Sequence, residues 1–329
     1  MTKIIDVAEK TGYSITTISR AINDHPYVSD KTKKKIFDAM KELDYYPNNV
    51  AQQLRGKGTK LIGVIISFVI NPFFTYLVDA IEKAAYQVGY QIVILQTLEE
   101  PEREKKFIEM LKKRQLDGLI MTSLDDDSPE VLKLIEAGKI VVCNRYLGEQ
   151  NIPLIHVDEK KATYEATYYL LSKGHRKIGY VTGNRGSMLP VDPRFEGYVQ
   201  ALKEFDIEPN SNYVFPRRLT ISDGKSTLTD VLALGEERPD ALLVISDEVA
   251  SGILSQCHLL NIKVPETLAI IGFDDQPIAE ALYPGLTTVR QPIKEMGEYV
   301  AALIIANIEH REHPERPELN TKLIIRGTA

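Results

Sequence analysis

From position 61 onward, short apolar segments alternate with segments of helical periodicity, and this alternation restricts the fold more than any other feature. The segments LIGVII (61–66) and LAIIGF (268–273) are apolar throughout, and QIVIL (91–95) is apolar after Gln91, as strands buried on both faces are. The intervening stretches, such as 74–89, repeat apolar residues at helical spacing. The alternation occurs in two sets, which predicts an α/β body of two lobes, each a parallel sheet covered by helices. In open sheets of this kind, ligands bind at the carboxyl ends of the strands.

Polar side chains follow several of these strand segments. Asp247 comes after ALLVIS, and Asp274 comes after LAIIGF. Carboxylates, amides and guanidiniums that converge at strand ends can hydrogen-bond several hydroxyls, while an aromatic ring covers a sugar face. Each such residue, taken singly, could equally cap a loop. The candidates for effector binding from this pattern are Asn71, Phe73, Asn144, Arg145, Arg194, Asp247 and Asp274.

Motifs of the common catalytic and metal sites are missing from the sequence. No GxGxxG follows a strand, and neither GxSxG nor HExxH occurs. The run from Gly224 to Ser226 resembles the end of a P-loop, but Leu219 stands where the first glycine belongs. The six histidines have no metal-ligand spacing. We therefore expect no enzymatic activity, no catalytic residues, no metal and no cofactor.

Hydropathy and cysteine content bear on the cellular compartment. No apolar run reaches the ~18 residues of a membrane span, and the first residues offer no signal peptide. Cys143 and Cys257 each lie in an apolar stretch, which predicts buried free thiols. The sequence thus predicts a cytoplasmic protein that does not associate with membranes.

The net charge of −6 is unevenly distributed along the chain. Residues 1–60 carry 11 Lys and Arg against 7 Asp and Glu, whereas the rest of the chain carries 29 against 39. A basic head on an acidic body is typical of a DNA-reading domain joined to a regulatory domain, although short segments also vary in charge by chance.

The first residues have the pattern of an all-α helix-turn-helix head. A helix-like segment, 4–11, ends at Gly12, which suits a left-handed C-cap. Ser14 then stands at the N-cap of a second short helix, 15–23. A third helix is predicted over 30–43. Two short helices joined by a glycine-containing turn indicate a motif whose second helix enters the major groove of DNA.

The second helix has an inward and an outward side. Its inward side is formed by Ile18, Ala21 and Ile22, and its outward side by Ile15, Thr16, Ser19 and Arg20. Arg20 can donate two hydrogen bonds to guanine, and Thr16 or Ile15 can contact a thymine methyl. The same outward residues could instead simply solvate the helix.

The segments DVAEKTGYSITTISRAIN and VSDKTKKKIFDAMKELDYYPNNVAQQL resemble the head and hinge of the LacI/GalR family of repressors. The resemblance implies that Ile15, Thr16 and Arg20 select the operator sequence. It also implies a hinge helix over 48–56 in which Leu54 wedges into a minor-groove step, the alternative being ordinary packing against its neighbours. Positions implied to contact phosphates are Asn23, Tyr27, Ser29 and Thr32. The complete set of predicted DNA-binding residues is Ser14, Ile15, Thr16, Thr17, Ser19, Arg20, Asn23, Tyr27, Ser29, Thr32, Asn48, Ala51 and Leu54.

The body resembles the same family more loosely, and it also resembles periplasmic sugar-binding proteins. The segments GHRKIGYVTG, DPRFEGY, SDEVASG and IIGFDDQPIAEALYPGLTTVRQP look like family landmarks in family order. The resemblance favours Arg194, Asp274 and Asp247 as effector-binding residues and adds Gln291 to the candidates. Ser246 stands where several sugar-responsive members carry Asn, which puts the pattern of recognised hydroxyls in doubt.

The resemblance also implies a domain plan. A helix-turn-helix domain over 1–46 and a hinge over 47–59 precede an effector-binding and dimerisation domain over 60–329. The lobe nearer the DNA is implied to comprise about 60–158 and 291–319, and the far lobe about 159–290 and 320–329. No heptad tail follows the last strand pattern, from which we expect a homodimer.

Together these features predict a transcriptional repressor of a carbohydrate-utilisation operon. Two heads would bind two half-sites of double-stranded operator DNA, and a sugar or sugar phosphate would shift the lobes and thereby the operator affinity. An alternative is the same repressor controlled by a phosphorylated carrier protein as coregulator. A sugar-binding transport protein would explain the body but would have no use for the head.

Overall fold

The computed structural model describes residues 2–46, 58–124, 128–146, 152–183 and 192–329. The chain divides into two compact units, Met1–Thr59 and Lys60–Ala329. The predicted hinge residues Asn48, Ala51 and Leu54 lie outside the described residues. Within the described part of the chain, no helix is both long and apolar enough to cross a membrane.

The head contains helices α1 (Ile4–Thr11), α2 (Ile15–Ile22) and α3 (Asp30–Glu42). Helix α1 ends at Gly12, whose φ of 75° is left-handed and whose N–H donates to the carbonyl of Ala8. The hydroxyl of Ser14 accepts a hydrogen bond from the backbone N–H of Thr17 and so caps α2. These contacts confirm the predicted helix-turn-helix and its turn.

A small apolar core holds the three helices together. It consists of Val7, Ile18, Ala21, Val28, Ile36 and Met40. Ile18 and Ala21 are fully buried, as their inward spacing on α2 predicts. The side of α2 that carries the predicted base-reading residues is therefore left to face away from this core.

The first lobe is built on a parallel sheet. Its strands are β1 (Leu61–Ile66), β2 (Gln91–Gln96), β3 (Gly118–Leu124), β4 (Ile140–Tyr146) and β5 (Leu154–Ile155), in the order β2-β1-β3-β4-β5. Its helices are α4 (Pro72–Gln87), α5 (Pro101–Lys112), α6 (Pro129–Glu136) and α12 (Ile293–Glu309). Helices α4 and α12 share one apolar core with the sheet, while α5 and α6 share another. Because helices cover both faces, the central strand β1 is apolar throughout, whereas β2 at the edge of the sheet begins and ends with glutamine.

The second lobe repeats this plan with one antiparallel strand at its edge. Its strands are β6 (Ile178–Val181), β7 (Val214–Phe215), β8 (Ala241–Val244), β9 (Ala269–Asp274), β10 (Thr287–Arg290) and β11 (Lys322–Ile324). They lie in the order β11-β10-β9-β8-β6-β7, and only the β10–β11 pair is antiparallel in the described sheet. Its helices are α7 (Glu159–Ser172), α8 (Pro193–Glu204), α9 (Ile221–Ala233), α10 (Asp247–Leu259) and α11 (Pro277–Ala281). The predicted α/β body of two parallel-sheet lobes is thus confirmed.

The chain passes between the lobes at the carboxyl ends of strands. After β5 it enters α7, and after β10 it enters α12, which packs against the first sheet. A further passage leads from α12 back to β11. Because two passages leave from carboxyl ends of strands, the polar residues that follow strands in both sheets lie near the passages between lobes.

Helices α7 and α8 of the second lobe pack backbone to backbone. A Cβ added at Gly197 in α8 would lie 2.1 Å from the carbonyl oxygen of Lys160 in α7 and 2.9 Å from the amide nitrogen of Tyr164. Backbone atoms cannot move aside as a flexible side chain can, so this position admits only glycine at the present separation.

We expect Gly197→Ala to destabilise the protein. Forcing two packed helices apart costs about 1–3 kcal/mol, and contact with backbone places this variant at the upper end. The gain of ~1 kcal/mol in helix propensity offsets only part of that cost. Thermal unfolding measures the effect, with Lys203→Ala on the exposed side of α8 as the control. A melting temperature equal to that of the wild type would show that the helices are not in close contact.

Candidate DNA-binding surface and effector site

The predicted base-reading residues share the outward side of α2. Ile15 is 43% exposed, and Thr16 and Arg20 are exposed as well. Ser19 is half-buried on the same helix. The structure therefore brings an apolar group, a hydroxyl and a guanidinium together on one surface, which suits contacts with base edges in a major groove.

The predicted phosphate-contacting residues lie around the start of α3 and the end of α2. Tyr27 is 87% exposed. The hydroxyls of Ser29 and Thr32 lie 2.9 Å apart at the N-terminus of α3. The side-chain amide of Asn23 donates to the carbonyl of Ser19 at 2.7 Å. An exposed helix N-terminus with hydroxyls beside it offers hydrogen-bond donors to a phosphate.

In the second lobe, Asp274 ends β9 with its carboxylate held by two amides. Gln291 Nε2 donates to Asp274 Oδ1 at 2.7 Å, and Gln276 Nε2 donates to Oδ2 at 3.1 Å. The backbone φ of Asp274 is 105°, a strained value of the kind that occurs at functional sites. Burial raises the pKa of Asp274 to about 7, although Arg194 and the amides oppose the shift. The carboxylate is a strong acceptor held in a desolvated position.

Asp247 begins α10 and is fully buried. Thr288 Oγ1 donates to its Oδ1 at 2.6 Å, and the backbone N–H of Gln276 donates to its Oδ2 at 2.7 Å. Burial, reinforced by the neighbouring charge of Asp274, raises the pKa of Asp247 well above its usual range. Both oxygens therefore fix the loop after β9, and a direct effector contact of Asp247 stays a prediction.

Arg194 lies at the start of α8 and forms an ion pair with Glu159 at the start of α7. Arg194 Nη2 and Nε lie 2.6 Å and 2.8 Å from Glu159 Oε1. The guanidinium also donates to the carbonyl of Ile245 at 3.3 Å and lies over the ring of Phe273, 4.2 Å from its centroid. Burial alone would lower the pKa of Arg194, but the carboxylates of Glu159 and Asp274 raise it. Glu159 was not among the sequence candidates.

The candidates of the first lobe lie after β1 and in the last residues of β4, which extends past the apolar segment that the sequence indicated. Asn71 caps α4, where its Oδ1 accepts from the N–H of Phe73 at 3.0 Å. Phe73 is only 6% exposed and belongs to the core beneath α4. Asn144 has a φ of 70° and donates to the carbonyl of Thr122 at 3.3 Å, while Arg145 is exposed. Phe73 thus packs mainly inward, whereas the polar candidates remain at the carboxyl edge of the sheet.

Two buried polar atoms at these edges have no hydrogen-bond partner among the described residues. They are Thr122 Oγ1 in the first lobe and Gln291 Oε1 at the passage after β10. Buried polar atoms in folded proteins are usually paired. A ligand rich in hydroxyls could supply a donor or acceptor to each.

The described residues contain neither a grouping of metal ligands nor a reactive thiol. No group of three or more His, Cys, Asp or Glu side chains in that part of the chain is arranged to hold a metal ion. Cys143 and Cys257 are buried free thiols, as predicted, and burial raises the pKa of each to about 12. Neither is a reactive thiolate at neutral pH.

Comparison with known sequences agrees with this organisation. A profile described as "Periplasmic binding proteins and sugar binding domain of LacI family" matches residues 59–326, and one described as "Bacterial regulatory proteins, lacI family" matches residues 3–48. The NTD biosynthesis operon regulator NtdR of Bacillus subtilis is 33% identical over 328 residues, or 99% of each chain. The ribose operon repressor of Halalkalibacterium halodurans is 35% identical, covering 100% of this chain and 97% of its own.

A solved structure resembles the body. It is a LacI family transcriptional regulator from Lactobacillus casei with bound sucrose, 32% identical to this chain, with a TM-score of 0.76. The match covers 82% of this chain and 99% of that one. The relatives named here are transcriptional regulators, and one of them holds a sugar.

Proposed function

This chain belongs to the LacI family of bacterial regulatory proteins, and we propose that it represses a carbohydrate-utilisation operon under the control of a sugar. The observation that carries the proposal is the polar cluster around Asp274 and Arg194 in a chain whose head is a helix-turn-helix. The sucrose bound to the Lactobacillus casei regulator and the ribose operon repressor support a sugar as effector.

The head is proposed to read the operator. Ile15, Thr16 and Arg20 would contact base edges, while the hydroxyls at the start of α3 would contact phosphates. A homodimer would place two heads on two half-sites one helical turn or a multiple apart. In this proposal the head comprises 1–46, and the hinge comprises 47–59.

The body is proposed to bind the effector at the carboxyl edges of its two sheets. Asp274, Arg194 and Gln291 would bind it from the second lobe, while Asn144 and Arg145 would bind it from the first. A ligand held by both lobes favours the arrangement in which they are closest. It shifts operator affinity only by its difference in affinity for the DNA-bound and DNA-free states. No enzymatic role is proposed, because the site residues bind and orient hydroxyls rather than activate a nucleophile.

Deletion of the gene tests the repressor function. We expect transcripts of neighbouring carbohydrate genes to rise in the deletion strain and to return to basal level when the wild-type gene is restored. Growth on the effector sugar should raise the same transcripts in the wild type, or lower them if the sugar is a corepressor. Unchanged transcripts on every carbon source would contradict the proposal. Derepression that no sugar reproduces would favour a phosphorylated carrier protein as coregulator.

A further inference from the structure

Glu159 forms an ion pair with Arg194, the residue that contributes a guanidinium to the proposed effector site. Both side chains are only 15% exposed, and two guanidinium nitrogens share one carboxylate oxygen. A third nitrogen is bonded to a backbone carbonyl, and Phe273 covers one face of the group. Arg194 is thus bound on several sides by the protein itself.

Helix packing fixes this pair in place. Glu159 is the first residue of α7, which Asp158 caps by accepting from the N–H of Lys161 at 2.9 Å. Arg194 is the second residue of α8, and Gly197 one turn later allows the two helices to touch through their backbones. This close packing holds the first turns of α7 and α8 side by side, where the two charged side chains meet.

Further acidic side chains lie around the pair. Asp274 and Asp247 lie at the same carboxyl edge of the second sheet, and the charge of Asp274 acts on both Arg194 and Asp247. Since Glu159 already compensates Arg194, a ligand in this site meets acidic groups and hydrogen-bond acceptors rather than an uncompensated positive charge.

Two further arginines near the end of β9 are paired with a carboxylate as well. Asp275 binds Arg290 at 2.6 Å and Arg326 at 2.7 Å. On the first lobe, Arg145 is the one charged candidate among the described site residues.

We propose that Glu159 sets the charge selectivity of the effector site, so that the site accepts a sugar without an anionic group and rejects phosphorylated or carboxylated sugars. This inference rests on the proposed function, because it concerns the effector of that same site. Three guanidinium N–H groups of Arg194 are already bound, so an anion at the remaining N–H groups would lie beside Glu159 and meet a charge that this carboxylate already balances. An anion that displaced Glu159 instead would leave a largely buried carboxylate without its partner, which is strongly unfavourable.

Glu159→Gln tests the assignment with inorganic phosphate as the probe. Titration calorimetry at pH 7.5 and constant ionic strength compares wild type, Glu159→Gln, and Glu165→Gln on the exposed side of α7 as the control. Glu165 lies 3.9 Å from Lys161 on this exposed side of α7. We expect phosphate to bind Glu159→Gln about tenfold or more tightly than wild type, which corresponds to 1.4 kcal/mol or more. The control should behave as wild type.

Matched sugars extend the test. Ribose and glucose are compared with ribose 5-phosphate and glucose 6-phosphate by the same titration. We expect neither phosphate ester to bind wild type more tightly than its parent sugar, and both to gain affinity for Glu159→Gln. Adding Arg194→Gln to that variant should remove the gain. Glu159→Asn provides a second neutral substitution if the first folds poorly.

Several results would overturn the inference. They are equal phosphate binding by wild type and the neutral variants, tight binding of a phosphate ester to wild type, and a gain that survives Arg194→Gln. Operator binding by the wild-type protein, with and without the sugars, is measured alongside. Failure to bind operator DNA under either condition would refute the proposed function, whereas the phosphate results decide the role of Glu159 independently.

Discussion

Replacing Arg20 with alanine is expected to relax base preference at one position of each operator half-site. Arg20 is exposed on the outward side of α2, where a guanidinium can donate two hydrogen bonds to guanine O6 and N7. Each such bidentate contact is worth about 1–3 kcal/mol of discrimination, so affinity for the preferred operator should fall roughly 5–150-fold. Selection of binding sequences from a randomised operator measures the preference at every position.

Lys34→Ala is the matched control for Arg20→Ala. Lys34 is an exposed cation on α3, so its removal also deletes one positive charge from the head. If Lys34 contacts a phosphate, its loss weakens binding equally for all sequences and lowers the salt dependence. An Arg20→Ala protein with an unchanged sequence profile would refute the assigned role of Arg20.

Asp274→Ala is expected to abolish the response of operator binding to the effector. The carboxylate accepts from Gln276 and Gln291, which hold it at the end of β9, and its remaining lone pairs can accept from the hydroxyls of a ligand. Hydrogen bonds to a charged group are worth about 1.5–3 kcal/mol each. The loss of two such bonds between ligand hydroxyls and Asp274 should therefore lower the affinity for the effector by roughly 100-fold or more. Operator affinity titrated with the sugar measures the response, and operator affinity without sugar shows whether the head still works.

Asp230→Ala controls for the loss of a carboxylate from the same lobe. Asp230 is exposed on α9 and pairs with Arg218. We expect its effector response to match that of the wild type, because the exposed pair contributes about 1 kcal/mol or less to stability. A normal effector response of Asp274→Ala would exclude Asp274 from the effector site.

Sequence reasoning predicted the elements that are apolar and well capped. The strands β1, β8 and β9 are buried on both faces, so their apolar runs identify them directly. In the head, the residues that cap the helices are the same residues from which the sequence predicts where the helices begin and end. Gly12 supplies the left-handed end of α1, and Ser14 caps α2. Here local preference and tertiary structure agree.

The elements that periodicity did not reveal have mixed surfaces. Helix α7 reads EKKATYEATYYLLS, and its buried side includes Thr163 and Thr167 as well as leucine and alanine. Strand β10 reads TTVR, and its two buried threonines interrupt the apolar run. Thr288 is buried because its hydroxyl binds Asp247, a contact that the sequence cannot show.

The sequence selected residue types for the proposed effector site but not their pairings. Asp274 was selected by its position at a strand end, Arg194 by its position at the start of a helix, and both by the family resemblance. The role of Glu159 depends on the packing of α7 against α8, which brings residues 35 positions apart within 2.6 Å. Asp247 was likewise selected without any sign that both of its oxygens would be bound within the lobe. Long-range contacts of this kind follow from tertiary structure, not from local pattern.

Operator binding by the purified full-length protein, with and without a panel of sugars, tests the central claim most directly. Fluorescence anisotropy at fixed salt would use DNA from upstream of its own and neighbouring genes. We predict tight, sequence-specific binding whose affinity one uncharged sugar changes, and the direction of the change identifies that sugar as inducer or corepressor. Failure to bind any of these DNA fragments more tightly than a random sequence would contradict the account.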